Sequence, residues 1–176
     1  TDNLFKFRDY ISYTTSGLVS VAEPIQINLA NNVDGWEIGN EITDDLVIIK
    51  PHVKGKLTVE NKHTLLFTPD EHLEPNTEYT VVVKLSEIYK NIPTDYKDYT
   101  FQFKTITPNF NVVTNHLQSY SKNWQYLEVV IKSADIISIK DAKKLIKASQ
   151  SGKNLNLVFN ELNENSKYFE FKIDSI

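Results

Sequence analysis

Leu73-Glu74-Pro75-Asn76-Thr77-Glu78-Tyr79-Thr80-Val81-Val82-Val83 is the stretch on which the fold turns. Pro fixes its own φ and Asn tolerates turn dihedrals, so Pro75-Asn76 reads as a turn. From Glu78 to Lys84 the residues alternate, placing Tyr79, Val81 and Val83 on one face, the period of a half-buried strand. A Leu-x-Pro-x-Thr-x-Tyr pattern entering a late strand is what a tyrosine corner requires. There the Tyr ring joins the core and its hydroxyl bonds the backbone a few residues upstream. Tyr79 and Pro75 are therefore assigned structural roles.

The flanking segments carry the same period. Residues 10–20 (YISYTTSGLVS) alternate and are rich in β-branched side chains, predicting a strand broken near Gly17. Pro24 to Leu29 predicts a half-buried strand with Pro at its start, where it removes no ladder bond. Asn31 to Gly35 is loop chemistry, and Leu46–Lys50 is a strand ended by Pro51. Residues 56–60 and 64–68 form a hairpin around Asn61-Lys62-His63. Residues 85–97 are polar and irregular, residues 99–105 are a period-2 strand, and Ile106-Thr107-Pro108 is a linker. Seven or eight short strands with no helical period predict an antiparallel β-sandwich over residues 1–107.

Residues 108–176 read differently. Phe110–Leu117 and Tyr126–Lys132 are strands. Ser138 is placed to cap a helix, with Asp141 in its first turn. Ile139, Ala142, Leu145 and Ile146 share one helical face, and Lys140, Lys143, Lys144 and Lys147 cover the other. Gly152 is assigned the position just past the helix end. Residues 155–159 and 168–173 complete a ββαββ order. The fold class is thus mainly β: a sandwich followed by a smaller α+β domain. Because the chain stops at Ile176, directly after an apolar strand, this domain is expected to be incomplete or to pair with sequence that follows.

Composition narrows the function. There is no Cys, which removes disulfides, thiolate metal sites and cysteine nucleophiles. There is no Met either, so Thr1 is not expected to be a translation start. The longest apolar runs, such as Leu46 to Ile49, are far too short for a membrane-spanning helix, and direct membrane insertion is not expected. The net charge is −4, and Arg8 is the single Arg among 19 basic residues, which argues against nucleic acid as a partner. Only five Gly occur, with no phosphate-cradling motif and no G-x-S-x-G elbow.

The residues that could carry chemistry are scattered. His52, His63, His72 and His116 show no metal-ligand spacing. Asn32, Asp34, Gly35 and Glu41 match positions 3, 5, 6 and 12 of a calcium loop, but Ala30 holds position 1 and cannot ligate. Asp44/Asp45, Asp70/Glu71 and Asp95/Asp98 are carboxylate pairs in loops, without a cleft for glycosidase chemistry. The Lys-rich helix face reads as the solvated side of a helix packed on a sheet. No catalytic residue, metal ligand or cofactor is assigned, and the chain is expected not to be an enzyme. An alternative adhesion or carbohydrate-binding module would need an exposed aromatic platform, using Trp36 or Trp124.

Several of these segments, taken in order, resemble the amino-terminal region of the bacterial alpha-2-macroglobulin family, especially the large forms from Bacteroidetes. They are Ser16-Gly17-Leu18-Val19-Ser20, Glu23-Pro24-Ile25, Ile49-Lys50-Pro51, Gly55-Lys56-Leu57, Leu65-Leu66-Phe67-Thr68-Pro69, the Leu73 to Tyr79 element and Phe101-Gln102-Phe103. Ala148-Ser149-Gln150-Ser151-Gly152-Lys153 extends the likeness into the second region. The resemblance implies an Ig-like sandwich in an exported, lipid-anchored cell-envelope or periplasmic protein that traps proteases. It also implies two kinds of partner: proteases met by the full-length protein, and neighbouring domains of the same chain. The family's thioester Cys has no counterpart in these residues, and no bait segment can be pointed to.

Overall fold

The computed structural model describes residues 2–176, which form two compact units with the boundary between Ile106 and Thr107. In the first, a short helix α1 (Asp2–Lys6) precedes β1 (Ile11–Thr14), β2 (Leu18–Val19), β3 (Ile25–Leu29), β4 (Glu41–Ile42) and β5 (Val47–Lys50). Strands β6 (Gly55–Asn61), β7 (Thr64–Pro69) and β8 (Glu78–Lys84) follow. A one-turn helix α2 (Leu85–Ile88) and a 3-10 turn (Thr94–Tyr96) then lead to β9 (Asp98–Thr105).

These strands make two sheets, ordered β1-β3-β7-β6-β4 and β2-β9-β8-β5. All pairs are antiparallel except β2 with β9. Gly17, at φ +69°, lies between β1 and β2 and lets the chain leave one sheet for the other. That is the physical content of the break expected there. Alternation then fills the interior: Tyr79, Val81 and Val83 of β8 and Tyr99, Phe101 and Phe103 of β9 are all buried. The resulting core holds 21 apolar side chains drawn from both sheets.

Two elements of this unit carried no sequence signal. Strand β4 is only two residues long and is held by pairing with β6. Helix α1 is too short to persist by propensity. Its neighbour Phe7 is buried edge-on against Tyr96 and Tyr99, with ring centroids 5.1 and 5.0 Å away. The irregular 85–97 stretch likewise contains α2 and the 3-10 turn.

The second unit comprises β10 (Phe110–Ser119), β11 (Gln125–Ser138), α3 (Ile139–Leu145), β12 (Ser149–Gln150), β13 (Lys153–Asn154), β14 (Asn156–Phe159) and β15 (Asn165–Asp174). Its main sheet is ordered β10-β11-β15-β14. Helix α3 packs against β11 and β15, over a core of Val129, Ile131, Ala142, Phe169 and Phe171. All ten residues of β10 are exposed. The expected ββαββ order is present, with one insertion, the β12–β13 hairpin.

That hairpin corrects the reading of Gly152. It does not follow the helix end, because α3 stops at Leu145 and Ile146 is already extended (φ −120°, ψ 131°). Ser151 and Gly152, at φ +51° and +79°, instead form the tight turn between β12 and β13. Two successive positive φ values suit a two-residue hairpin loop. The early stop also corrects the helical face: Leu145 is exposed, while Ile146 reaches the core from an extended backbone.

Candidate functional site

Tyr79 anchors the first unit. Its hydroxyl accepts the Glu74 backbone N–H at 2.9 Å, and its ring stacks on Phe103 with centroids 5.3 Å apart. Asn76 sits in the left-handed region at φ +50°, as the Pro75-Asn76 turn requires. The fully buried Thr105 completes the corner: its hydroxyl accepts the Thr77 N–H and donates to the Glu74 carbonyl. Thr105 lies 28 residues from Thr77, so only the folded sheet reveals the pairing. These polar groups close the fold, and Glu74 and Tyr79 also line the groove on the outer side of the corner.

The titratable loop residues gather only in part. His52 and His72 line one shallow groove with Asp70, Glu71 and Glu74, at the outer side of the corner. His63 lies elsewhere, with Nδ1 3.1 Å from Asn32 Oδ1. His116 lies in the second unit, at an irregularity of β10. Asp34 and Glu41 line a second groove together with Glu37, Asp44 and Glu87. Among the described residues, no three His, Asp or Glu side chains gather closely enough to hold a metal ion. Asp95 and Asp98 lie in the 3-10 turn and at the start of β9. On α3, Lys143 pairs with Glu161 and Lys144 with Asp141.

The second unit offers the more organised surface. Val129, Ile131, Phe169 and Phe171 point toward α3, so alternate residues occupy the other face of the sheet. These are Tyr126, Glu128, Val130 and Lys132 of β11, and Tyr168, Glu170, Lys172 and Asp174 of β15. A groove of about 370 Å³ crosses this face, lined by Asn115, Glu128, Val130, Val158, Glu170 and Lys172.

Aromatic rings stand at one end of the same face. Gln118 pairs with Tyr126 and Ser119 with Gln125, so Tyr120 and Trp124 face each other at the hairpin tip, on the side of Tyr126. The Tyr120 N–H donates to the Trp124 carbonyl at 3.3 Å, and Ser121 Oγ accepts the Trp124 N–H at 3.1 Å. Tyr120 and Tyr126 stack with centroids 5.1 Å apart and planes 18° from parallel. Lys172 Nζ lies 4.7 Å from the Tyr126 centroid. The Tyr120 hydroxyl donates to the Asp174 carboxylate, which holds this phenol above its ordinary pKa. Tyr120 and Trp124 remain 56% and 53% exposed. Trp124 is one of the two aromatics that the sequence nominates for such a platform. Tyr120, Tyr126, Lys172 and Asp174 are not nominated, although the alternation of Tyr120, Trp124 and Tyr126 is available as a signal. Trp36 is half-buried against the first core.

No curated protein matches the chain. Among solved structures, an L,D-transpeptidase from Mycobacterium tuberculosis H37Rv is 12% identical, over 87% of this chain and 59% of that one, with a TM-score of 0.39. L,D-transpeptidase 3 from Mycobacterium tuberculosis, in complex with a faropenem-derived adduct, is 12% identical over 89% of this chain and 59% of that one, with a TM-score of 0.38. The chain thus spans about 59% of the length of these structures. The family model for the bacterial Ig-like domain matches residues 12–105. That match covers more than half of the chain and runs from β1 to the end of β9, the whole two-sheet sandwich closed by Tyr79. The chain belongs to the bacterial Ig-like domain family.

Proposed function

We propose that this chain is a non-catalytic scaffold and interaction region of a larger bacterial cell-envelope protein. One observation carries the reading: the polar side chains best placed in the Ig-like unit, Tyr79 and Thr105, are engaged in closing the strand corner over a filled core. A sandwich closed in this way is suited to holding its loops and neighbouring domains at a fixed spacing. The resemblance of the ordered segments to the bacterial alpha-2-macroglobulin family supports a narrower version. In it, the region lies near the amino terminus of an exported, lipid-anchored protein. The full-length protein traps attacking proteases, and the residues here supply support instead of chemistry.

Two measurements test the two levels separately. Full-length protein is incubated with trypsin, and cleavage of casein and of a small chromogenic peptide is followed. A trap shields the protease from casein while leaving peptide cleavage intact; unimpaired casein digestion overturns the narrower reading. The 176-residue chain alone should neither inhibit trypsin nor hydrolyse peptide, ester or glycoside substrates. Turnover of any of these that is lost on heat denaturation overturns the non-catalytic assignment.

A further inference from the structure

We propose that the open sheet face of the second unit, at the β10–β11 tip, is a glycan-binding platform for β-1,4-linked pyranoses with equatorial substituents. The inference goes beyond a scaffold role and stands on different residues.

The geometry is that of a pre-built stacking surface. Tyr120 is backed on one ring face by Tyr126, and Tyr126 lies under Lys172. With its hydroxyl held by Asp174, Tyr120 has little rotamer freedom left to lose on binding. Its exposed area is therefore the opposite ring face and its edges. Trp124 sits across the hairpin on the same side of the sheet and presents a second exposed ring. A pyranose with equatorial substituents has flat C–H faces that suit an aromatic ring, and a rim of hydroxyls that needs donors and acceptors. Lys172 supplies donors, and the carboxylates of Asp174, Glu128 and Glu170 supply acceptors. Lys172 also lines the adjoining groove, which continues along the same face past Asn115 and Asn160. An oligosaccharide stacked on the rings would extend into that groove.

The surroundings argue against other occupants. The two groove carboxylates, Glu128 and Glu170, oppose a phosphate backbone, and the chain as a whole is acidic. A protein hot spot needs its aromatic anchors enclosed by contacts that exclude water. Here the nearest residues on the face are Gln118, Glu128, Lys172 and Asp174, all suited to a wet, hydroxyl-rich ligand.

The test uses the 176-residue chain with cellohexaose and chitohexaose as probes. A Trp36→Phe background leaves Trp124 as the single indole reporter. Saturable change in Trp124 fluorescence with at least one of the two sugars, together with shifts of the Trp124 indole N–H in NMR spectra, is the expected result. Tyr120→Ala and Trp124→Ala, followed by NMR titration, should each weaken binding about tenfold or more. Both sites are exposed, and unchanged thermal melts of the variants separate a lost site from a lost fold. Absence of binding to both sugars at millimolar concentration overturns the proposal. So does binding that survives both substitutions, or a preference for oligouridine over either sugar.

Discussion

Residues 2–106 bury 21 apolar side chains between two sheets, whereas residues 107–176 bury five between one sheet and a seven-residue helix. Both units are built from period-2 strands, so the difference lies in what covers the sheets. In the Ig-like unit each sheet covers the other. In the second, α3 covers β11 and β15 on one side and leaves β10 exposed. One architecture consumes its apolar alternation in a closed core. The other keeps a sheet face open, and that face carries the exposed aromatic cluster.

The contrast predicts different tolerance of the same insult. Phe171→Ala removes a buried ring stacked on Phe159 at 4.7 Å and should cost about 3–5 kcal/mol. A unit of this size rarely holds more than about 3–5 kcal/mol in total, so its fold should be lost. Leu65→Ala, at a fully buried position of β7, should cost about 2–5 kcal/mol and leave the larger unit folded. Urea titrations read through Trp124 for one unit and Trp36 for the other separate the two. Equal midpoint shifts for the two substitutions would remove the contrast.

A second substitution probes how tightly the two-sheet core is packed. A Cβ on Gly55 would collide with the Thr68 carbonyl oxygen and meet the Phe67 ring at 2.7 Å. The backbone oxygen has little room to yield, so Gly55→Ala should cost about 1–3 kcal/mol. A lower urea midpoint with an unchanged slope is the expected signature. No change in midpoint would mean that this edge of the sandwich is softer than its geometry.

How far each region could be read from sequence follows from the range of the interactions that set it. The longer strands, the Pro75-Asn76 turn and the capping residues Ser138 and Asp141 are local signals, whereas β4, β12 and β13 are too short to show a period and β11 runs on to Ser138, past the expected Lys132. The tyrosine corner was half local: Tyr79 and Glu74 are five residues apart, but Thr105 arrives from another strand. Gly152 departs from its expected place because spacing alone cannot separate a helix terminus from a hairpin turn. The deciding event is the extended backbone at Ile146, which follows the pull of the second core. The aromatic platform was hidden for the same reason. Tyr120 and Trp124 are near neighbours in the chain, but Lys172 and Asp174 reach them only through the register of β11 with β15.

Two buried hydroxyls in the Ig-like unit offer a finer comparison. Tyr79 has a backbone partner, and Tyr79→Phe should cost about 1 kcal/mol. The Tyr89 hydroxyl is buried and finds no hydrogen-bond partner among the described residues, and burial raises its pKa. Tyr89→Phe removes an unsatisfied polar group, so it should leave the melting temperature unchanged or raise it slightly. A loss of stability in Tyr89→Phe equal to that in Tyr79→Phe would show that the hydroxyl is satisfied by water.

The smallest effect lies at the start of α3, where the second unit depends on a helix too short to persist alone. Ser138 Oγ accepts the Asp141 N–H at 3.1 Å and donates to its carboxylate at 2.9 Å, while Lys144 Nζ lies 3.2 Å from that carboxylate. The Ser138 hydrogen bond, and secondarily Lys144, hold the Asp141 carboxyl below its ordinary pKa. A carboxyl lowered in the folded state stabilises it above the unfolded pKa and loses that contribution as pH falls through the folded value. The second unit should therefore weaken on the acid side of the ordinary carboxylate range. Ser138→Ala should cost about 1 kcal/mol at neutral pH and flatten this acid dependence, because the largest cause of the shift has been removed. Lys144→Ala, which breaks an exposed pair one turn apart, should cost only about 0.2–0.5 kcal/mol and keep most of the dependence. Urea midpoints read through Trp124 at neutral pH and across the acid range give both numbers. If Ser138→Ala retains the full acid slope, the slope arises from carboxyls of the second unit outside this cap, because its core of Val129, Ile131, Ala142, Phe169 and Phe171 binds no protons.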